Sequence, residues 1–307
     1  MQIQRIGLIG LGSIGILYGN AFQRAFGREN VCFIVDPDRA ARYTRDGVQC
    51  NGVPCDFRYE TGENGAEPVD LLLFCVKYPG LADATQRVRP FVGAHTILVS
   101  TLNGVVSEGE IAAVYGDKLL YCTVQGMDAT RDGVDMRWTN AGYLALGEAN
   151  GGTSARLEAV CAALDRAGLA YRLPDDIRHQ LWSKFMLNVG VNQVTAAHGL
   201  PYAGVQQPGA ARDEMRAAMV EAQRVAACEG VTLTDREIDD WIALIDTLDP
   251  CGMTSMRQDT LRGRKTELDL FAGTVRRLGA KHGIPTPVND TLYDAIRAIE
   301  ARTAPTK

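Results

Sequence analysis

The stretch IGLIGLGSIGILYGNAFQRAFGRENVCFIVD, residues 6–36, decides the fold. It opens on an apolar run (Ile6, Leu8, Ile9), crosses Gly10-Leu11-Gly12-Ser13-Ile14-Gly15, and continues with Ile14, Leu17, Ala21, Phe22 and Ala25 on one helical face. A second apolar run, VCFIV at 31–35, ends at Asp36. Strand, glycine turn, helix and strand make a βαβ unit. Glycines there permit a tight turn and let backbone amides approach a pyrophosphate at the helix N-terminus. Asp36 lies 21 residues past Gly15, where an acidic side chain accepts hydrogen bonds from an adenosine ribose. The plain alternatives are a glycine-rich turn and a strand-end DPD turn. The complete βαβ context favours dinucleotide binding.

Outward from that unit, further apolar runs follow: DLLLFCV at 70–76, TILVST at 96–101, LLYCTV at 119–124 and YLALG at 143–147. Continuous runs without alternation suit a parallel sheet covered on both faces. Ser107 to Glu110 reads as a capping box opening a helix, and TSARLEAVCAALDRAG as a helix ending at Gly168. Beyond LPDD at 173–176 the strand signal stops, and helical patterns occupy 177–198, 210–229, 234–246, 255–282 and 288–302. The expected fold is α/β: a doubly wound Rossmann-type parallel-sheet domain over residues 1–175, then an all-helical domain over 176–307.

With 307 residues, 46% hydrophobic and 22% charged, the composition is that of a globular protein of about two domains. No run of eighteen apolar residues predicts a membrane span, and no basic-then-apolar leader opens the chain, so a cytoplasmic protein is expected. A net charge of −5 and the lack of a basic cluster argue against nucleic acid as a partner. The eight cysteines show no CxxC spacing and the four histidines no ligand spacing. Small buried hydrophobes and no metal site are expected.

In LWSKFMLNVGVNQ, residues 181–193, apolar groups run nearly all round a helix, the pattern of a buried one. Yet Lys184, Asn188 and Asn192 recur every fourth residue and stack along one side. Buried, such groups are costly unless something hydrogen-bonds them. Lys77 and Asn103 each follow a strand, where open α/β sheets bind ligands; taken singly, each reads more simply as a solvated cation and a turn asparagine. Glu267, Phe271, Val275 and Leu278 fall on one helical stripe, so Glu267 shares an apolar face or is a first-turn carboxylate. Ser255 reads as an N-cap, with Gln258 completing the box.

These motifs together resemble the ketopantoate reductase (2-dehydropantoate 2-reductase) family along the whole chain. The resemblance rests on GLGSIG, VKYPG at 76–80, LNG at 102–104, WSKFMLNVGVN at 182–192 and SMRQDTLRGRKTE at 255–267. It implies an NAD(P)H-dependent oxidoreductase of pantothenate biosynthesis, acting on a branched 2-keto acid in an interdomain cleft. By resemblance, Lys184 is the general acid, Asn103 binds substrate near the nicotinamide, and Glu267 is the acidic partner. Asn188 and Asn192 line the substrate site, Ser255 binds the substrate carboxylate, and Lys77 contacts cofactor. A homodimer is compatible with this reading.

Three positions depart from the family pattern. Asp36 stands where NADP-using members usually carry arginine, which favours NADH over the family's default NADPH, although Arg39 and Arg42 are near in sequence. Tyr202 and Gly252 stand where asparagines are common. They exchange amide hydrogen bonding for an aromatic surface and open space in the substrate region. The rival readings are an (R)-2-hydroxy-acid dehydrogenase of mandelate type and a dinucleotide-sensing protein without turnover.

Overall fold

The computed structural model describes residues 2–63 and 65–303. The chain forms two compact units: one holds the residues up to Asn103 and from Ser107 to Gln180, the other Gly104–Val106 and the residues from Leu181 onward.

The first unit runs β1 (Ile6–Ile9), α1 (Ser13–Phe26), β2 (Val31–Ile34), α2 (Pro37–Asp46), β3 (Gln49–Cys50), β4 (Val53–Pro54), β5 (Arg58–Glu60) and β6 (Val69–Phe74). It continues with α3 (Leu81–Arg87), β7 (Val92–Ser100), α4 (Ser107–Tyr115), β8 (Leu119–Gln125), β9 (Thr130–Asp132) and β10 (Asp135–Arg137). It closes with β11 (Tyr143–Gly147), α5 (Ala155–Ala167) and β12 (Tyr171–Arg172). Eight strands form one sheet in the order β12-β11-β8-β7-β6-β1-β2-β5. The apolar runs are continuous because both faces are covered. Ile6, Leu8, Leu71 and Leu73 face one core with α1 and α5, whereas Ile9, Leu72, Phe74 and Leu98 face another with Leu81 and Ile111.

Two features differ from the sequence reading. YLALG is not parallel to the strands before it: β11 pairs antiparallel with β8, and parallel only with β12. Its connection to β8 contains no helix, and parallel neighbours need a crossover, which here would be helical. That connection instead forms the β9–β10 hairpin, which joins β3 and β4 in a separate four-stranded sheet. Strands of two or three residues carry no readable alternation, so this sheet has no sequence signal.

The second unit is helical: α6 (Ile177–His198), α7 (Ala203–Gln206), α8 (Ala210–Cys228), α9 (Asp235–Asp246), α10 (Ser255–Leu261), α11 (Ala272–His282) and α12 (Pro287–Thr303). A Cβ on Gly190 would lie 2.5 Å from Met219 Cγ, so α6 and α8 pack at glycine distance. Glu221 accepts from Val288 N, Asn289 N and Asn289 Nδ2 and thereby caps α12. The helix expected over 255–282 is broken between Leu261 and Ala272. Gly263 takes a left-handed φ of 61°, and Thr266 turns aside to give its N–H and hydroxyl to Glu300. No helix among the described residues is long and apolar enough to cross a membrane.

Candidate active site

In the first unit, the β1, β2, β6 and β7 registers align Ile9 with Ile34 and Phe74, and Phe74 with Ser100. Gly10, Asp36, Lys77 and Asn103 therefore leave the sheet along one edge, at the carboxyl ends of its strands. Two of the turn glycines are demanded by packing. Gly10 has φ 104°, and a Cβ on Gly15 would fall 2.0 Å from the Gly10 carbonyl oxygen. Gly12 is different. Its φ of −88° suits any residue, and a Cβ there would meet nothing nearer than Cys75 O at 3.9 Å. It is also the N-cap of α1 and offers no side chain to the first-turn amides. A bare backbone at an open helix N-terminus fits the close approach of a dinucleotide's diphosphate.

Asp36 does two things. Its carboxylate accepts from Arg39 N at 2.7 Å, capping α2, and lies 3.3 Å from Arg39 Nε. Its capping role is thus real, and Arg39 is drawn onto it. Arg42 stacks over Tyr43, 5.1 Å from the ring centroid. Lys77 is exposed just past β6 and Asn103 half-buried past β7. Cys75, behind the turn, has its thiol pushed up to about 12 by burial and is inert.

In the second unit, α6 carries the polar row. Lys184 is half-buried, while Asn188 and Asn192 are only 9% and 6% exposed. Among the described residues, none hydrogen-bonds either carboxamide. Their atoms are not sealed off, since neither belongs to the fully buried unpaired set. Two buried amides aligned with an amine and lacking protein partners are the mark of a binding surface.

The far end of that row is tied to Thr254, the residue before Ser255. Thr195 Oγ1 lies 3.3 Å from the Asn192 carbonyl oxygen and 2.8 Å from Thr254 Oγ1. Thr254, not Ser255, is the N-cap of α10, accepting from Arg257 N. Ser255 is the first helical residue and is exposed, which leaves its hydroxyl free of the capping duty expected of it. Sequence reasoning missed Thr195 and Thr254; the one available signal was a second hydroxyl beside Ser255. Glu267, 9% exposed, lies in the turn before α11, and its carbonyl accepts from Leu270 N and Phe271 N. That turn keeps the expected stripe although the helix is interrupted. Phe271 packs against Phe185, the neighbour of Lys184, with centroids 6.3 Å apart.

The open space expected at Gly252 is filled. A Cβ there would be 3.0 Å from the Tyr202 ring, and Tyr202 N donates to Gly252 O at 3.0 Å. The aromatic surface and the glycine are one fitted pair.

Two family models described as ketopantoate reductase PanE/ApbA match the chain, one over residues 6–151 and the C-terminal one over 176–300. A 2-dehydropantoate 2-reductase of Halobacterium salinarum is 28% identical over 273 residues, covering 88% of this chain and 85% of its own. One from Archaeoglobus fulgidus is 25% identical over 311 residues, covering 98% and 99%. Among solved structures, a PanE/ApbA family ketopantoate reductase from Ralstonia eutropha superposes with a TM-score of 0.85 at 25% identity, covering 97% and 99%. A D-mandelate dehydrogenase bound to NADH and anilino(oxo)acetate gives a TM-score of 0.87 with the same coverage, but at 21% identity it speaks to the fold alone.

Proposed function

The chain belongs to the ketopantoate reductase family, and from that premise we propose that it reduces a branched 2-keto acid, 2-dehydropantoate first, to the 2-hydroxy acid. The nicotinamide dinucleotide supplies the hydride; the protein binds, orients and protonates. The observation that carries this reading is the row of Lys184 with two buried, partnerless carboxamides. Lys184 Nζ donates the proton to the ketone oxygen and stabilises the negative charge developing there. Asn188 and Asn192 hydrogen-bond the substrate's polar groups. The exposed Ser255 hydroxyl receives its carboxylate and Glu267 is the acidic partner, while Asn103 belongs with the cofactor residues of the first unit. The glycine turn and Lys77 hold the cofactor.

Asp36 favours NADH in this reading, since a 2′-phosphate would set like charges together. The test is a panel of 2-keto acids assayed with NADH and NADPH in parallel. Oxidation of NADH with a higher kcat/KM than NADPH is expected, and no turnover with either donor would reject the reading. Asp36→Arg should shift preference to NADPH and, by removing the cap, cost about 1 kcal/mol. Asp36→Asn keeps the cap and isolates the effect of charge. A mandelate-type substrate is the second reading, favoured by the Tyr202 ring lying against Gly252. A phenyl-substituted 2-keto acid turned over better than 2-dehydropantoate would establish it.

A further inference from the structure

The β9–β10 hairpin reaches back to the glycine turn. Arg131, on β9, donates from Nη1 to the carbonyl oxygen of Leu11, 120 residues away in sequence. Its Nε donates to Gly133 O at 3.0 Å, which fixes the guanidinium plane against its own hairpin. The hairpin is anchored in turn: Met136 pairs with Arg131 across the ladder and is fully buried in the core that contains Ile16 and Leu17 of α1. The guanidinium is half-buried, and among the described residues it makes no ion pair. A partly desolvated cation without a carboxylate is costly unless an anion visits it.

Its target matters more than its charge. Leu11 O and Gly12 N–H belong to one peptide, and in a trans peptide they point in opposite directions. Holding the carbonyl therefore sets the direction of the Gly12 N–H. A cationic donor on the oxygen also polarises the peptide, which strengthens that N–H. Gly12 is the turn glycine that no protein contact or backbone strain requires.

We propose that Arg131 is a positioning residue for the cofactor, orienting and polarising the Gly12 amide toward the dinucleotide's diphosphate through the Leu11 carbonyl. This rests on the reading that the turn holds a nicotinamide dinucleotide. The Asp132-Gly133 turn and three-residue strands gave no hint of such a role in the sequence.

The test is calorimetric titration of the full-length wild type, Arg131→Met, Arg131→Gln and Arg131→Lys with NADH and with ADP-ribose, beside steady-state kinetics and melting curves. Arg131→Met should weaken both ligands by about 10- to 100-fold, the scale of a lost charged hydrogen bond. The KM for the keto acid and kcat at saturating NADH should change little. Arg131→Lys should recover most of the loss, and Arg131→Gln, which keeps a donor without the charge, should lie between. If Arg131→Met does not fold, the Gln and Lys variants decide by the same order. Wild-type affinity in the Met or Gln variant would overturn the proposal. So would an Arg131→Lys as weak as Arg131→Met with an equal fall in melting temperature, which is the signature of a merely structural clamp. Wild type that binds neither NADH nor ADP-ribose would sink the cofactor reading and this inference with it; wild type that binds while the variants bind equally would sink this inference alone.

Discussion

Lys184 shares its side of α6 with two amides that find no partner among the described residues, and an amine in that company is expected to act on a ligand. Lys184→Met keeps the stem and removes the charge. It should lower kcat by roughly 10²–10⁴, or about 3–5 kcal/mol of transition-state stabilisation, while cofactor affinity holds. A lysine kept only for structure would behave otherwise: its removal would cost stability and spare chemistry. Melting curves beside single-turnover hydride transfer, for this variant and for Glu267→Gln, separate the two. Near-normal transfer with a large fall in melting temperature would refute the catalytic role. The polar row was legible in the sequence because three hydrophilic residues at fourfold spacing stand out in an otherwise apolar helix. Arg131 was not, because its partner is a backbone carbonyl, and a carbonyl has no letter.

At the scale of elements, α4 carries a buried carboxyl that the proposed chemistry does not use. Glu108 is 2% exposed and accepts from Ser107 Oγ at 3.0 Å; Ser107 Oγ in turn lies 2.9 Å from Ser100 Oγ on β7. Its other oxygen has no partner among the described residues. Burial, partly opposed by its hydrogen bonds, raises its pKa to about 7. The folded state thus prefers the neutral acid, and its contribution is full below the unfolded pKa and lost as pH rises through about 7. Stability should fall between roughly pH 4.5 and 7, by up to about 3 kcal/mol. Glu108→Gln should flatten that slope and be the more stable protein above pH 7, as urea unfolding across the range will read. An unchanged slope would mean that the carboxyl titrates normally. Helix boundaries were readable at 234–246, where the expected helix is α9. They failed at 262–271, where a persistent apolar stripe concealed a left-handed Gly263 and a hydroxyl drawn to Glu300. Periodicity records which side faces the core, and a turn can keep that side without being a helix.

For the molecule as a whole, a dinucleotide that binds only the folded state should stabilise it by mass action. At a hundredfold excess over Kd this amounts to about 2.7 kcal/mol, a rise of several degrees in Tm for NADH. A keto acid alone should give its own, separate rise. A flat melting temperature with both ligands would contradict the proposed function. The division into a sheet-bearing half and a helical half was visible from strand runs giving way to long helical patterns. The antiparallel β11 was not, because strand direction depends on what connects the strands, and the β9–β10 excursion is written in short polar segments.

The boundary between the two units is not a single point in the chain. Gly104–Val106 belongs to the second unit although Ser107–Gln180 returns to the first. Gly104 has φ 92°, and a Cβ on it would lie 2.7 Å from Leu270 Cδ1. The chain therefore crosses three times, after Asn103, after Val106 and after Gln180. A fragment ending at Gln180 would carry three residues whose packing partners had been left behind, and the remaining fragment would expose Leu270 where Gly104 had covered it. The halves of this protein cannot be traded as modules by one cut and one splice: swapping the helical half for a relative's requires the Gly104–Val106 loop to travel with it.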